Sequence, residues 1–325
     1  MPGGHFGLGS IGNFKEDNLM TATTFERRVT PLQKVEREDT YNGNSIEYED
    51  FSTNLDVLGP LLHSLFQEHW QEVGLGHMVD GSVLELEFTA PPKICRIYDG
   101  YLTVVTESWH MHLCVAENQG GATGRTPESL RQVRRVSRAA LYRRLNAEGE
   151  ARSWGIQFWN GAGVKMMTLF LPNAFIGEAE DLLPEHKPNL AKLGLYDKLR
   201  QIYVLGTMDI PYESNPLNCP YISVCRSTRC NAGRDWKSVH EALERQLAES
   251  GLENIELITS GCLEVCKMGP IVFYSGDVGV ASQNENRAPE HTWYARVTPD
   301  VAKEIITEHV VENRKVERNL YPQPD

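Results

Sequence analysis

Five of the seven cysteines in this 325-residue chain fall between Cys219 and Cys266, and no other feature limits so tightly what the C-terminal third can fold into. Cys225-x4-Cys230 is followed after 31 residues by Cys262-x3-Cys266. Structural disulfides are rare in a reducing cytosol, so thiolate–metal chemistry is the stronger reading of such a cluster. Structural zinc usually sits on Cys-x2-Cys knuckles, and a thioredoxin-type redox pair requires one; the chain contains none. A zinc site is the alternative to iron.

The elements flanking these cysteines follow a simple order. Tyr221–Cys225 reads as a short strand, and Asp235–Ser250 as a helix with Trp236, Val239, Leu243 and Leu247 on one face and Gly251 as its stop. Ile255–Thr259, Ile271–Tyr274 and Trp293–Val297 read as strands, and Thr298–Pro299 caps a last helix carrying Val301, Ile305, Ile306 and Val310. The order β-α-β-β-β-α is that of a minimal thioredoxin-like fold. Cys225 would end a strand, Cys230 would precede a helix N-terminus, and the other pair would occupy the Gly261–Pro270 loop. A binuclear iron–sulfur cluster needs four thiolates, two per iron, and these placements let backbone N–H groups donate to its sulfurs.

The stretch GCLEVCKMGPIVFYSG, then WYARVTPDVAKEIITEHV and VERN, resembles the thioredoxin-like [2Fe–2S] ferredoxins. The Cys-x4-Cys half is similar to the small [2Fe–2S] subunit of respiratory NADH dehydrogenase. The resemblance covers residues 219–321 and implies a [2Fe–2S] cluster on Cys225, Cys230, Cys262 and Cys266. Ferredoxins of this type often separate their first two ligands by ten to twelve residues, and Cys219 stands ten intervening residues before Cys230. Cys219 is therefore a rival to Cys225, which is preferred because it ends an alternating strand. The polar segment Asp277–Thr292 lengthens a hairpin relative to compact family members, as a docking loop or a tolerated insertion.

The rest of the chain predicts a second, α+β unit with antiparallel hairpins. Residues 1–50 are polar and aperiodic and read as a mobile arm. Asp56–Val73 carries Leu58, Leu61, Leu62, Leu65, Phe66, Trp70 and Val73 at helical spacing, and Val83–Thr89 alternates as a half-buried strand. Asp99–Gly100 marks a hairpin whose second arm runs to about Val115. Thr126–Pro127 opens a helix through Leu130, Val133, Ser137, Ala140, Leu141 and Leu145, and Asn160–Gly163 joins strands Trp154–Trp159 and Val164–Leu171. Trp154, Phe158, Trp159 and Phe170 are expected to pack that hairpin, and Cys95 to be a small buried residue. These readings place an α+β domain at 51–185, a connection at 186–218 and the ferredoxin-like domain at 219–325.

Two further groups of side chains invite a functional reading. On a strand, His110, His112 and Cys114 share a face and could ligate a transition metal or a haem-type iron; the same face serves equally as a plain solvated surface. Arg131, Arg134, Arg135 and Arg138 fall on one stripe if their segment is helical. Such a stripe could dock an anionic small molecule or an acidic redox partner, or simply face water.

A net charge of −12 argues against general nucleic-acid binding. No run approaches the ~20 apolar residues of a membrane span, and Met1–Asn18 lacks the apolar core of a secretory signal, so a cytoplasmic protein is expected. The sequence thus points first to electron transfer, with a redox protein as partner and a homodimer as a further arrangement. The alternatives are an enzyme whose ferredoxin domain feeds a metal or tetrapyrrole site in the first domain, and a cluster-dependent regulatory or assembly protein.

Overall fold

The computed structural model describes residues 25–79, 81–121, 124–177, 181–184, 187–226, 235–260, 268–276 and 291–321. The protein is an α+β fold. Its N-terminal part runs β1 (Val35–Asp39), β2 (Ser45–Phe51), α1 (Leu55–His63), β3 (Gly74–Val79), β4 (Ser82–Leu86), β5 (Ile94–Tyr98), β6 (Tyr101–Val105) and β7 (His110–Cys114). It continues with β8 (Gly120–Gly121), β9 (Gly124–Arg125), α2 (Glu128–Arg134), β10 (Val136–Leu145), β11 (Ala151–Asn160), β12 (Lys165–Phe170) and α3 (Gly194–Leu199). The C-terminal part is β13 (Tyr221–Cys225), α4 (Trp236–Glu249), β14 (Glu256–Ser260), β15 (Val272–Ser275), β16 (His291–Tyr294) and α5 (Pro299–Glu304). No helix among the described residues is long and apolar enough to cross a membrane.

A seven-stranded antiparallel sheet in the order β1-β2-β10-β11-β12-β3-β4 dominates the first part, and β5-β6-β7 form a separate meander. Leu141, Ile156, Phe158 and Leu169 project from the inner face of the large sheet. They pack on Leu58, Leu61, Leu62, Leu65 and Phe66 of the α1 region, on Leu102 and Val104 of the meander, and on Leu199 and Tyr203 at the end of α3. Fully burying each such side chain is worth about 1.5–3 kcal/mol. A bidentate pair holds α3 to the sheet: Arg200 Nε and Nη2 each donate to Glu49 at 2.7 Å.

Four expectations for this part change. Residues 35–50, read as arm, are two strands; β1 is exposed throughout and charged at four of its five positions, as suits a sheet edge, and 1–24 lie outside the described residues. The helix opened at Pro127 ends at Arg134, and Val136–Leu145 is instead the central strand β10. The segment read as a connection holds α3 and places Leu195, Tyr196, Leu199, Ile202, Ile210 and Leu217 in the N-terminal core. The second arm of the Asp99–Gly100 hairpin is itself two strands, β6 and β7, turning at Thr106–Trp109.

The C-terminal order β-α-β-β-β-α is as expected. Its sheet runs β14-β13-β15-β16, with β13 parallel to β14 and antiparallel to β15. Asp235 caps α4 by accepting from Lys237 and Ser238 N–H, Gly251 follows at φ +66°, and Thr298 caps α5 ahead of Pro299. Ile222 and Val224 face the helices and pack on Val239, Leu243, Ile305 and Ile306. Tyr221 and Cys225 face the other way.

The Arg200 hydrogen bonds hold the Glu49 carboxyl below the usual carboxylate range, so its contribution exists above the unfolded pKa of ~4.3 and disappears as pH falls through the folded value. Glu49→Gln is expected to cost about 2 kcal/mol at pH 7, between the values for exposed and buried pairs. Urea unfolding at pH 7 and pH 3 checks this: an equal loss at both would refute it.

Candidate functional site

Cys225 is the last residue of β13 and fully buried. Ser260 is its partner in the parallel β13–β14 register, and its N–H donates to Ile271 O at 3.1 Å. Ile271, Phe273, Trp293 and Ala295 form an apolar cluster with it, and Met268 packs on that cluster. Ser260 thus stands beside Cys225, and Met268 packs on the apolar cluster that contains it. Cys230, Cys262 and Cys266 themselves lie outside the described residues. Cys219 precedes β13 at its opposite end, about 13 Å of strand away. Its thiol lies against Pro216 O and beside Arg96, whose Nε is 2.9 Å from Glu256.

The Cys225 face of the C-terminal sheet is covered by the β5–β6 hairpin. The rings of Tyr98 and Tyr221 (centroids 4.9 Å apart), Tyr221 and Phe273 (5.4 Å), and Phe273 and Trp293 (4.6 Å) form one continuous aromatic layer. The hairpin turn puts Asp99 at φ +45° and Gly100 at φ +77°, the pairing a tight primed turn demands. A Cβ on Gly100 would stand 2.5 Å from Glu117 O, so only glycine fits there.

Asp99 occupies this junction. Its carboxylate accepts the N–H groups of Gln119 (2.7 Å) and Gly120 (3.0 Å) and the Asn118 amide (2.6 Å). His291 Nδ1 of β16 lies 3.6 Å from Asp99 Oδ1, and neither ring nitrogen of His291 has a hydrogen-bond partner among the described residues. Burial raises the Asp99 pKa to about 6, against the pull of its donors, and lowers His291 to about 4. Asp99, Cys219, Tyr221 and Ser275 line an adjoining cavity of about 20 Å3, room for one water.

The other candidate residues are not assembled as expected. His110, His112 and Cys114 do lie on one strand, with the two rings 5.6 Å apart and exposed. Cys114, however, is buried, its thiol donates to Ala116 O, and burial raises its pKa to about 11; His112 Nδ1 is 2.9 Å from the Thr103 hydroxyl. Among the described residues, no three His, Cys, Asp or Glu side chains are grouped to hold a metal. The arginine stripe dissolves with the helix that would have carried it. Arg131 and Arg134 are on α2, Arg135 ends it and Arg138 is on β10. Arg131 pairs with Glu128 and Glu117, and Arg135 reaches Glu117 at 3.9 Å. Arg134 reaches the Asn118 side chain, and Arg138 is bidentate to Asp50 and stacks 4.3 Å over Trp159. Trp154 and Phe158 enter the core, whereas Trp159 packs on the outer sheet face and Phe170 is partly exposed there. Cys95 is a buried thiol, raised to about 12 by desolvation.

Sequence reasoning missed Asp99 and His291. The Asp-Gly turn signal was visible at Asp99; nothing local marks a histidine whose significance lies in what packs over it.

The two junction groups pull stability in opposite directions with pH. Between pH 4 and 6 folded Asp99 holds a proton the unfolded chain releases, so its contribution falls as pH rises; folded His291 lacks a proton the unfolded chain holds, so its contribution rises. Removing Asp99 (Asp99→Asn) should leave stability increasing over that window, and removing His291 (His291→Phe) should leave it decreasing, each by roughly 2 kcal/mol. Equal slopes in denaturant titrations of the two variants would refute the assignment.

No curated protein matches the chain. Among solved structures, a thioredoxin-like [2Fe–2S] ferredoxin from Aquifex aeolicus is 21% identical over 33% of this chain and 94% of its own, with a TM-score of 0.27. ChuX is 16% identical over 49% of this chain and 79% of its own, with a TM-score of 0.30. Apo-PhuS, a heme-binding protein from Pseudomonas aeruginosa, is 11% identical over 43% of this chain and 32% of its own, with a TM-score of 0.28. Residues 35–205, more than half of the chain, match a family of unknown function (DUF7676), and the chain belongs to that family.

Proposed function

We propose that this chain is an electron-transfer protein that holds a [2Fe–2S] cluster on Cys225, Cys230, Cys262 and Cys266, with an N-terminal unit that binds a partner or ligand. The observation that carries the reading is the position of Cys225. It is buried at the strand end whose parallel-sheet partner is Ser260, two residues before Cys262 in the chain, and Met268, two residues after Cys266, packs on the same apolar cluster, whereas Cys219 precedes the far end of that strand. The cysteine spacing and the resemblance of residues 261–276 and 293–319 to thioredoxin-like ferredoxins supply the rest.

A bound cluster would supply a one-electron ferric–ferrous couple. Cys225 would contribute a thiolate, and Ile271, Phe273, Trp293 and Ala295 keep water from its side of the sheet. Exclusion of solvent and N–H donors near the sulfurs are the protein's means of setting a potential. Aromatic contact from Trp293 through Tyr221 to Tyr98 joins this region to the N-terminal unit. A second metal on His110, His112 and Cys114 has no support, because the Cys114 thiol is turned to Ala116 O.

Anaerobic purification followed by iron and acid-labile sulfide counts should give two of each per chain, with a visible charge-transfer spectrum. Cys225→Ala should abolish that spectrum, and Cys219→Ala should preserve it. Joint replacement of His110, His112 and Cys114 should leave the iron count unchanged. Loss of the spectrum in the Cys219 variant, with retention in the Cys225 variant, would reverse the ligand assignment; absence of iron and sulfide from the wild type would end the reading.

A further inference from the structure

The outer face of the seven-stranded sheet, opposite α1 and α3, contains a hollow of about 410 Å3 whose lining includes Tyr48, Tyr142, Phe170, Arg144, Lys165 and Glu85. Its size falls in the ordinary range for small-molecule sites. Two strand glycines shape its floor. A Cβ at Gly155 would stand 2.5 Å from the Tyr142 ring, and one at Gly76 would stand 2.7 Å from the Phe170 ring. Each aromatic ring thus lies across a neighbouring strand at a point where only glycine leaves room. Glycine inside a strand weakens it, and close approach of another group is what such a position characteristically serves. Phe170 remains 38% exposed, so its ring faces the hollow instead of being covered by protein.

The charges at the rim are as specific. Arg143 on the opposite face pairs with Glu47, and Arg138 pairs with Glu36 and Asp50. Arg144 is exposed and has no carboxylate partner among the described residues. It lines the hollow with Tyr48 and Tyr142, two positions along β10 from Tyr142 and so on the same face of the strand. Lys165 Nζ lies 5.8 Å from the Tyr48 ring centroid and 3.5 Å from Glu38. A guanidinium with no carboxylate partner among the described residues, beside an aromatic floor, matches a ligand that carries both a ring and an anionic group.

We propose that this hollow is a binding site for a planar aromatic acid, with its ring system on Phe170 and Tyr142 and its acid group on Arg144. The site does not involve the cysteines, and it stands whether or not they bind iron.

Two probes that differ only by a sulfonate test it: 1-anilinonaphthalene-8-sulfonate and its neutral counterpart N-phenyl-1-naphthylamine, titrated by fluorescence into the full chain. The sulfonate should bind saturably at one site per chain, and tighter than the neutral probe. Arg144→Gln should weaken the sulfonate about tenfold, as expected for one charge-assisted hydrogen bond, and leave the neutral probe unchanged; Arg144→Lys should recover part of the loss. Phe170→Ala should weaken both probes. Arg144 is at the surface, and unchanged far-ultraviolet circular dichroism in both variants verifies folding. Equal sulfonate affinity in wild type and Arg144→Gln, or equal loss of both probes in that variant, would overturn the proposal. So would unaltered binding in Phe170→Ala, or sulfonate binding that disappears as the chain self-associates over the same face.

Discussion

The C-terminal third of this structure depends on one strand that is buried on both faces. Tyr221–Cys225 packs Ile222 and Val224 against α4 and α5, and Tyr221 and Cys225 against a layer that the N-terminal hairpin completes with Tyr98. A two-sided strand of this kind cannot be solvated on either face, so its position in the sheet and its register against β14 and β15 are strongly specified. Cys225 inherits that definition. A thiol delivered by such a strand is held in place before any ligand arrives, which is the arrangement a metal ligand needs.

The junction that covers this strand contrasts with the apolar layer around it. Asp99 brings a carboxylate, satisfied by three N–H donors, to within 3.6 Å of a histidine whose nitrogens have no other partner among the described residues. Desolvation raises the pKa of the Asp99 carboxyl and keeps His291 neutral at neutral pH, so the buried histidine carries no charge into the layer. The contact couples the hairpin that carries the N-terminal meander to the sheet that carries Cys225.

How much could be read in advance differed between the two parts for physical reasons. The C-terminal elements were legible because their signals are local: an aspartate cap, a glycine stop, a Thr-Pro cap and amphipathic helices against apolar strands. In the N-terminal part the strongest misreading, a helix through Leu145, came from a strand buried on both sides. Leu141 faces the core while Ala140 and Tyr142 cluster with Ile46, Tyr48 and Trp159 on the other face, so period-two alternation is lost and the apolar positions fit a helical spacing by coincidence. The edge strand Val35–Asp39 failed for the converse reason: four of its five residues are charged because it borders solvent. The arginine stripe fell with the false helix.

The sequence by itself determined the cysteine constellation, the β-α-β-β-β-α order and the turn at Asp99–Gly100, because spacing, capping and turn chemistry are properties of neighbouring residues. Only the tertiary structure decided that Cys219 and Cys225 stand at opposite ends of one strand, that Asp99 meets His291, and that Arg144 has no carboxylate partner among the described residues and borders an aromatic floor. Each of those depends on which strands pair and which faces are covered. Pairing between residues a hundred or more positions apart is set by the packing of whole layers, which no local pattern encodes.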